Sequence, residues 1–194
     1  MPRDKPRECK MYAAGHIFRM LKECAEKFRY TKIRLSGNEP TIGRNHLFRI
    51  LELCEENNYF FILETNGILL GHDKVYCDQL AKFGKVHVRV SLKGTTPSEF
   101  SMLTGAIPNS FNLQLKALEN LLNAGVSCHP AVMLSFSSKR NYSALKTRLT
   151  NIDASLENAI EEEYVILYPV TVERLSRAEI KPLIAYQPRD KQQF

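Results

Sequence analysis

Apolar and polar positions alternate along this chain in two rhythms that take turns. From Ala13 to Phe28, the residues Ile17, Met20, Leu21, Cys24 and Phe28 fall on one helical face, while Lys22, Glu23, Glu26 and Lys27 fall largely on the other. The same spacing recurs over Leu47–Glu56, Asp73–Phe83 and Phe111–Ala124, the last closed by Gly125 as a helix stop. Between these helices lie short apolar runs, Lys32–Leu35, Phe60–Leu63, Val86–Val90, Ala131–Phe136 and Tyr164–Tyr168, which suit strands of a parallel sheet buried on both faces. The order is αβ repeated five times, beginning with a helix, and a further helix interrupted at Pro182 is expected over Val172–Ile184. Met1–Tyr12 is expected to be a polar arm, residues 13–170 one α/β unit, and residues 171–194 a helix with a frayed tail.

Three of the strands end abruptly in polar corners. Lys32–Leu35 runs into Ser36-Gly37-Asn38-Glu39-Pro40, Phe60–Leu63 into Glu64-Thr65-Asn66-Gly67, and Val86–Val90 into Ser91-Leu92-Lys93-Gly94. Gly37 and Pro40 stop the ladder and leave backbone groups free at the strand end. In a parallel sheet with helical crossovers all the carboxyl ends face one side, so these corners are expected to share a ligand crevice.

These residues resemble the radical S-adenosylmethionine family from about Ala13 to about Val170. Ser36-Gly37-Asn38-Glu39-Pro40 is similar to the family's Gly-Gly-Glu-Pro motif, with Asn38 where a second glycine is usual. Glu64-Thr65-Asn66-Gly67 and Ser91-Leu92-Lys93 resemble the motifs after the next two strands, and Leu103-Thr104-Gly105 with Asn109 resembles a segment of the glycyl-radical activating branch. The resemblance implies a partial (βα) barrel, a parallel sheet with helices outside it, lacking the first strand of a (βα)6 core. It implies S-adenosylmethionine and a 4Fe-4S cluster as cofactors, and a 5′-deoxyadenosyl radical that abstracts hydrogen from a substrate. It assigns the carbonyls around Gly37–Glu39 to the methionine α-amino group, Lys93 to its carboxylate, and Ser91 or Thr65 to the carboxylate or the ribose hydroxyls. Glu64, close to that carboxylate, would have to be protonated, paired or bridged by a cation.

The family's cluster is held by Cys-x3-Cys-x2-Cys, and no such triad stands here: Cys9, Cys24, Cys54, Cys77 and Cys128 are widely spaced. The chain therefore reads as a family member without its first strand and cluster loop, expected not to cleave S-adenosylmethionine as it stands. The alternative is a non-catalytic module that binds S-adenosylmethionine, or that captures a protein substrate or second chain at an open barrel edge.

Composition changes this picture little. The chain has 194 residues, 44% of them hydrophobic and 25% charged, enough for one core. No apolar run approaches a membrane span, and the charged first twenty residues do not suit a signal peptide; the expectation is a cytoplasmic protein with reduced thiols. The net charge of +6 is spread over both ends rather than along one helix, which reads as solvated surface and not as a nucleic-acid footprint. His16, His46, His72, His87 and His129 show no chelating spacing, so no zinc site is expected, and no Gly-x-Ser-x-Gly elbow is present. Val132, Leu134, Val165, Leu167 and Tyr168 suit either core packing or an adenine wall.

Overall fold

The computed structural model of the chain describes residues 11–188. Most of the expected polar arm, the end of the tail and Cys9 lie outside the described residues. The order is α1 (Ala14–Phe28), β1 (Lys32–Leu35), a 3₁₀ turn (Pro40–Gly43), α2 (Arg44–Glu56), β2 (Phe60–Thr65), α3 (Ile68–His72), α4 (Lys74–Leu80), β3 (Val86–Leu92), α5 (Pro97–Thr104), α6 (Ser110–Asn123), β4 (Ser127–Met133), α7 (Lys139–Ile152), α8 (Ala154–Asn158), β5 (Glu161–Glu163), β6 (Val165–Ile166), α9 (Pro169–Arg177) and β7 (Ala185–Tyr186). Strands β1 to β5 form one parallel sheet in sequential order, and β6 pairs with β7 in a separate parallel ribbon. The α/β partial barrel anticipated from the sequence is therefore present.

Local signals explain where the elements start and stop. The α1 helix ends where Arg29 turns left-handed (φ 57°) and its N–H is taken by carbonyls of the last turn. Asp73, Thr96 and Ser138 each cap a helix by accepting a backbone N–H at Tyr76, Glu99 and Asn141. The α3 and α6 helices approach so closely that a Cβ on Gly71 would run into the Leu113 carbonyl, which restricts this position to glycine. At that contact Asn120 donates to the Leu70 carbonyl at 2.9 Å, satisfying an acceptor at the end of the short α3 helix.

Four sequence expectations need correction. The run Tyr164–Tyr168 is not the fifth strand; Glu161–Glu163 is, because the ladder to β4 pairs Ala131, Val132 and Met133 with the three glutamates. The last helix lies at Pro169–Arg177 rather than Val172–Ile184, starting where Pro169 supplies the preset φ of a first helical turn. The sheet is also not buried alike on its two faces. Ile33, Phe61, Leu63, Val86, Val88, Val90 and Leu92 face the helices and are buried. The alternate positions Arg34, Glu64, His87, Arg89, Ser91 and Lys93 face the concave side. Val132 and Leu134 belong to the helix-side core, with Val132 fully buried, so they form no adenine wall.

Candidate functional site

The carboxyl ends of β1, β2 and β3 lie side by side, and with them the three polar corners. The β1–β2 ladder ends at Leu35 opposite Leu63, so the Ser36 and Gly37 carbonyls lie beyond it. Gly37 has φ 93° and Asn38 φ 51°, two successive left-handed residues that turn the chain sharply at the edge of the crevice. A Cβ built on Gly37 meets nothing within 4 Å, so the space beside this backbone is open. Ser36, Gly37 and Asn38 are all exposed.

Glu39 fixes the corner from beneath. One carboxylate oxygen accepts from the Thr41 N–H (3.1 Å), the Thr41 hydroxyl (2.6 Å) and the Thr65 hydroxyl (2.7 Å), and the other accepts from the Asn66 N–H (2.7 Å). Glu39 thus ties the loop after β1 to the loop after β2, and Pro40 opens the 3₁₀ turn that follows. Thr65 is 3% exposed and its hydroxyl is spent on Glu39 and the Gly67 N–H, which makes it part of the support.

A second carboxylate does the same one strand pair further on. Glu99, at the start of α5, accepts from the Thr95 N–H (2.7 Å), the Thr95 hydroxyl (2.8 Å), the Ser137 hydroxyl (2.6 Å) and the Asn141 amide (2.8 Å). Burial pushes its pKa up, but the bonds from Ser137, Thr95 and Asn141 outweigh this and hold it below the ordinary carboxylate value. It joins the loop carrying Lys93 to the loop after β4. Sequence reading missed Glu99, although Thr96-Pro97-Ser98-Glu99 has the spacing of a helix-start capping signature.

Below the corners, the concave face carries a charge network centred on Arg89, 8% exposed. Its guanidinium grips Glu161 through two bonds (2.8 and 3.0 Å), reaches Glu163 at 2.7 Å, and lies 3.7 Å from Glu64. Arg34 lies 3.3 Å from the same Glu64 oxygen, Lys93 lies 3.3 Å from Glu163, and Arg89 donates to the Ser91 hydroxyl at 3.2 Å. Glu64 is therefore neutralised by two arginines, and Lys93 shares its charge with Glu163 while staying 41% exposed. The Arg89 bonds, resisted by burial and helped by His129, hold the Glu161 carboxyl at about 2.

The two strand histidines sit at the other end of this face. His129 Nε2 is 3.0 Å from Glu161, His129 Nδ1 is 2.6 Å from His87 Nε2, and His87 Nδ1 is 2.7 Å from the Ser127 hydroxyl. An ionised Glu161 can only accept, so His129 donates to it; with both imidazoles neutral, His87 then donates to His129 and Ser127 to His87. Burial, then His129, lowers the His87 pKa, consistent with a neutral imidazole. Among the described residues no group of three His, Cys, Asp or Glu side chains is arranged to hold a metal ion.

Residues 2–138 match the Radical SAM superfamily, more than half of the chain, and the chain belongs to that superfamily. A Methanocaldococcus jannaschii protein named as a glycyl-radical enzyme activating enzyme is 29% identical over 100 residues, covering 52% of this chain and 36% of that protein. A Methanococcus maripaludis protein named as a GTP 3′,8-cyclase is 30% identical over 119 residues, covering 61% of this chain and 38% of its own length. The fold is similar to that of Streptococcus suis SuiB, in crystals with S-adenosylmethionine (TM-score 0.63, 17% identity, 97% of this chain and 48% of that one) and with the precursor peptide SuiA (TM-score 0.63, 17% identity, 94% and 43%). The chain thus spans less than half the length of each of these relatives.

The family's two cofactors fare differently against the residues present. The corner has what a zwitterionic amino-acid tail requires: open space beside Gly37, strand-end carbonyls beyond the ladder, and a lysine that is 41% exposed. An iron-sulfur cluster does not fit the described cysteines. Cys54 and Cys77 are buried in α2 and α4, Cys128 lies on β4 and Cys24 on α1. Burial raises the first three thiols to about 12, which disfavours the thiolates that bind iron.

Proposed function

We propose that this chain supplies the S-adenosylmethionine-binding half of a radical enzyme core. The observation that carries this reading is the corner at Ser36–Pro40, with open space at Gly37 and a half-buried carboxylate, Glu39, locking it to the next strand end. When bound, S-adenosylmethionine supplies the adenosyl group that becomes the hydrogen-abstracting species once an electron is delivered. This chain's residues bind and orient it. The carbonyls of Ser36, Gly37 and Asn38 accept from the α-amino group, Lys93 pairs with the carboxylate, and the Ser91 hydroxyl serves the ribose. Glu39, Pro40, Glu64, Thr65 and Asn66 support these contacts through the bonds described above. Lys93 can exchange Glu163 for the ligand carboxylate without stranding either charge, because Arg89 remains on Glu163.

The described cysteines leave the chain as given without a means of reductive cleavage, so we infer binding without turnover for it alone. Thiolates for a cluster would have to come from outside residues 11–188. The two relatives are named for different activities, a glycyl-radical enzyme activating enzyme and a GTP 3′,8-cyclase, so neither name assigns this chain a substrate. A polypeptide is the partner we infer, supported by β1, which pairs on one side only and leaves a free strand edge among the described residues.

Two measurements test the reading. A Lys93→Ala variant should bind S-adenosylmethionine about tenfold more weakly; binding equal to the parent removes Lys93 from the site. Anaerobic reconstitution with iron and sulfide should leave no stable cluster absorbance on the chain, and a stable cluster would show that its cysteines do chelate iron.

A further inference from the structure

Gln114 lies on α6, away from every motif considered above, and is fully buried. Its Nε2 donates to the Asn66 carbonyl and to the Ser91 carbonyl, both at 2.8 Å. The β2–β3 ladder closes at Thr65 opposite Val90, whereas β3 continues to Leu92 along β4. Past that point the two strands diverge and each presents a carbonyl that the other no longer satisfies. The two protons of one side-chain amide cap both. The neighbouring carbonyls fix the amide's orientation, since only its nitrogen can donate to them. Its Oε1 has no partner among the described residues, so the fold keeps this amide for its donors despite an unsatisfied acceptor.

We infer that Gln114 is a positioning residue that sets the spacing between the two grips on the ligand tail. The inference rests on the proposed binding site. Asn66 gives its N–H to Glu39, which holds the Ser36–Pro40 corner, and gives its carbonyl to Gln114. Gln114 then holds Ser91, two residues before Lys93. A continuous path therefore runs from the amino-group corner through Glu39, Asn66, Gln114 and Ser91 to the carboxylate lysine. Breaking it at Gln114 lets the ends of β2 and β3 splay, and a ligand that spans both grips loses its fit. A ligand without the amino-acid tail does not span them and is insensitive to the spacing.

The test compares the parent chain with Gln114→Met, which keeps the volume and removes both donors, and Gln114→Glu, which offers at most one donor, and that only when protonated. Affinity for S-adenosylmethionine should fall about tenfold or more, while affinity for 5′-deoxyadenosine changes less than about twofold. Hydrogen exchange should quicken in segments 64–68 and 91–95 and stay unchanged in α2. Equal weakening of both ligands, or unchanged exchange in the two segments, overturns the inference. Should neither variant fold, the parent decides: Gln114 side-chain amide protons exchanging as slowly as neighbouring backbone support it, and exchange at solvent rate overturns it. If the parent binds no S-adenosylmethionine, the binding-site reading fails, and the exchange data still read the role of Gln114 as a clamp.

Discussion

The two faces of the same sheet follow opposite rules. On the helix side, Val86, Val88, Val90 and Leu92 are buried in one apolar cluster with Phe61, Leu63, Leu118 and Leu121. On the concave side the intervening His87, Arg89, Ser91 and Lys93 have polar or charged partners, including Glu64 on β2, Ser127 and His129 on β4, and Glu161 and Glu163 on β5. One face obtains its stability from removing apolar surface from water. The other gains little net stability from its ion pairs, since desolvation offsets much of the attraction, and what it provides is a charged, shaped surface beside the site. Removing one side chain should therefore cost most on the helix face, less at the centre of the concave face and least on the outer surface.

The largest effect is expected at Phe61→Ala, which leaves a cavity in the helix-side core; chemical denaturation should show a loss of about 3–5 kcal/mol. Next comes Arg89→Met, which leaves Glu161, Glu163 and Glu64 close together with only His129, Lys93 and Arg34 to offset them. Because Glu161 is about half exposed, solvent tempers the penalty to about 2 kcal/mol at neutral pH. The same variant should alter the acid limb of the stability curve. In the parent, Glu161 has its folded pKa depressed to about 2, so its contribution is complete above the ordinary carboxylate value of about 4.5 and is lost as pH falls through about 2. Arg89→Met removes that depression, so its denaturation profile should be flatter across this window; an unchanged slope would mean Arg89 does not set the Glu161 charge. Glu99→Gln should cost about 1–2 kcal/mol and loosen the loop that bears Lys93, readable as faster exchange over Thr95 and Ser137. Arg177→Ala, which breaks an exposed pair with Glu173 on α9, should change stability by less than about 0.5 kcal/mol. A reversal of the first two effects would overturn the comparison of the faces.

The contrast between faces was written in β3 as a strict alternation, Val-His-Val-Arg-Val-Ser-Leu-Lys, yet reading that run as uniformly apolar hid it. Helices α2 and α6 stand where the pattern put them; α1 does too, but it buries Ala14, Phe18 and Ala25, whereas Met20, Cys24 and Phe28 of the expected stripe are exposed. Elements without a stripe or with a polar strand were missed: α7 has only Leu145 and Leu149 buried, and Glu161–Glu163 looks like a loop until Arg89 is seen facing it. At the site, the corner residues were visible because glycine, proline and asparagine interrupt a strand. Their supports were not: Glu99 carries a helix-start signature that says nothing of its partners at Ser137 and Asn141, and nothing local distinguishes the buried Gln114 amide from a solvated one. Only the fold brings Gln114 to Asn66 and Ser91, 48 and 23 residues away.

Calorimetric titration of the intact chain with S-adenosylmethionine, alongside Gly37→Val, tests the central claim most directly. Valine would fill the open space at Gly37 and oppose its φ of 93°. The account predicts saturable one-to-one binding by the parent and at least about tenfold weaker binding by a variant that retains its fold. Saturation that is indistinguishable between the two, or no saturable binding by the parent, would contradict it.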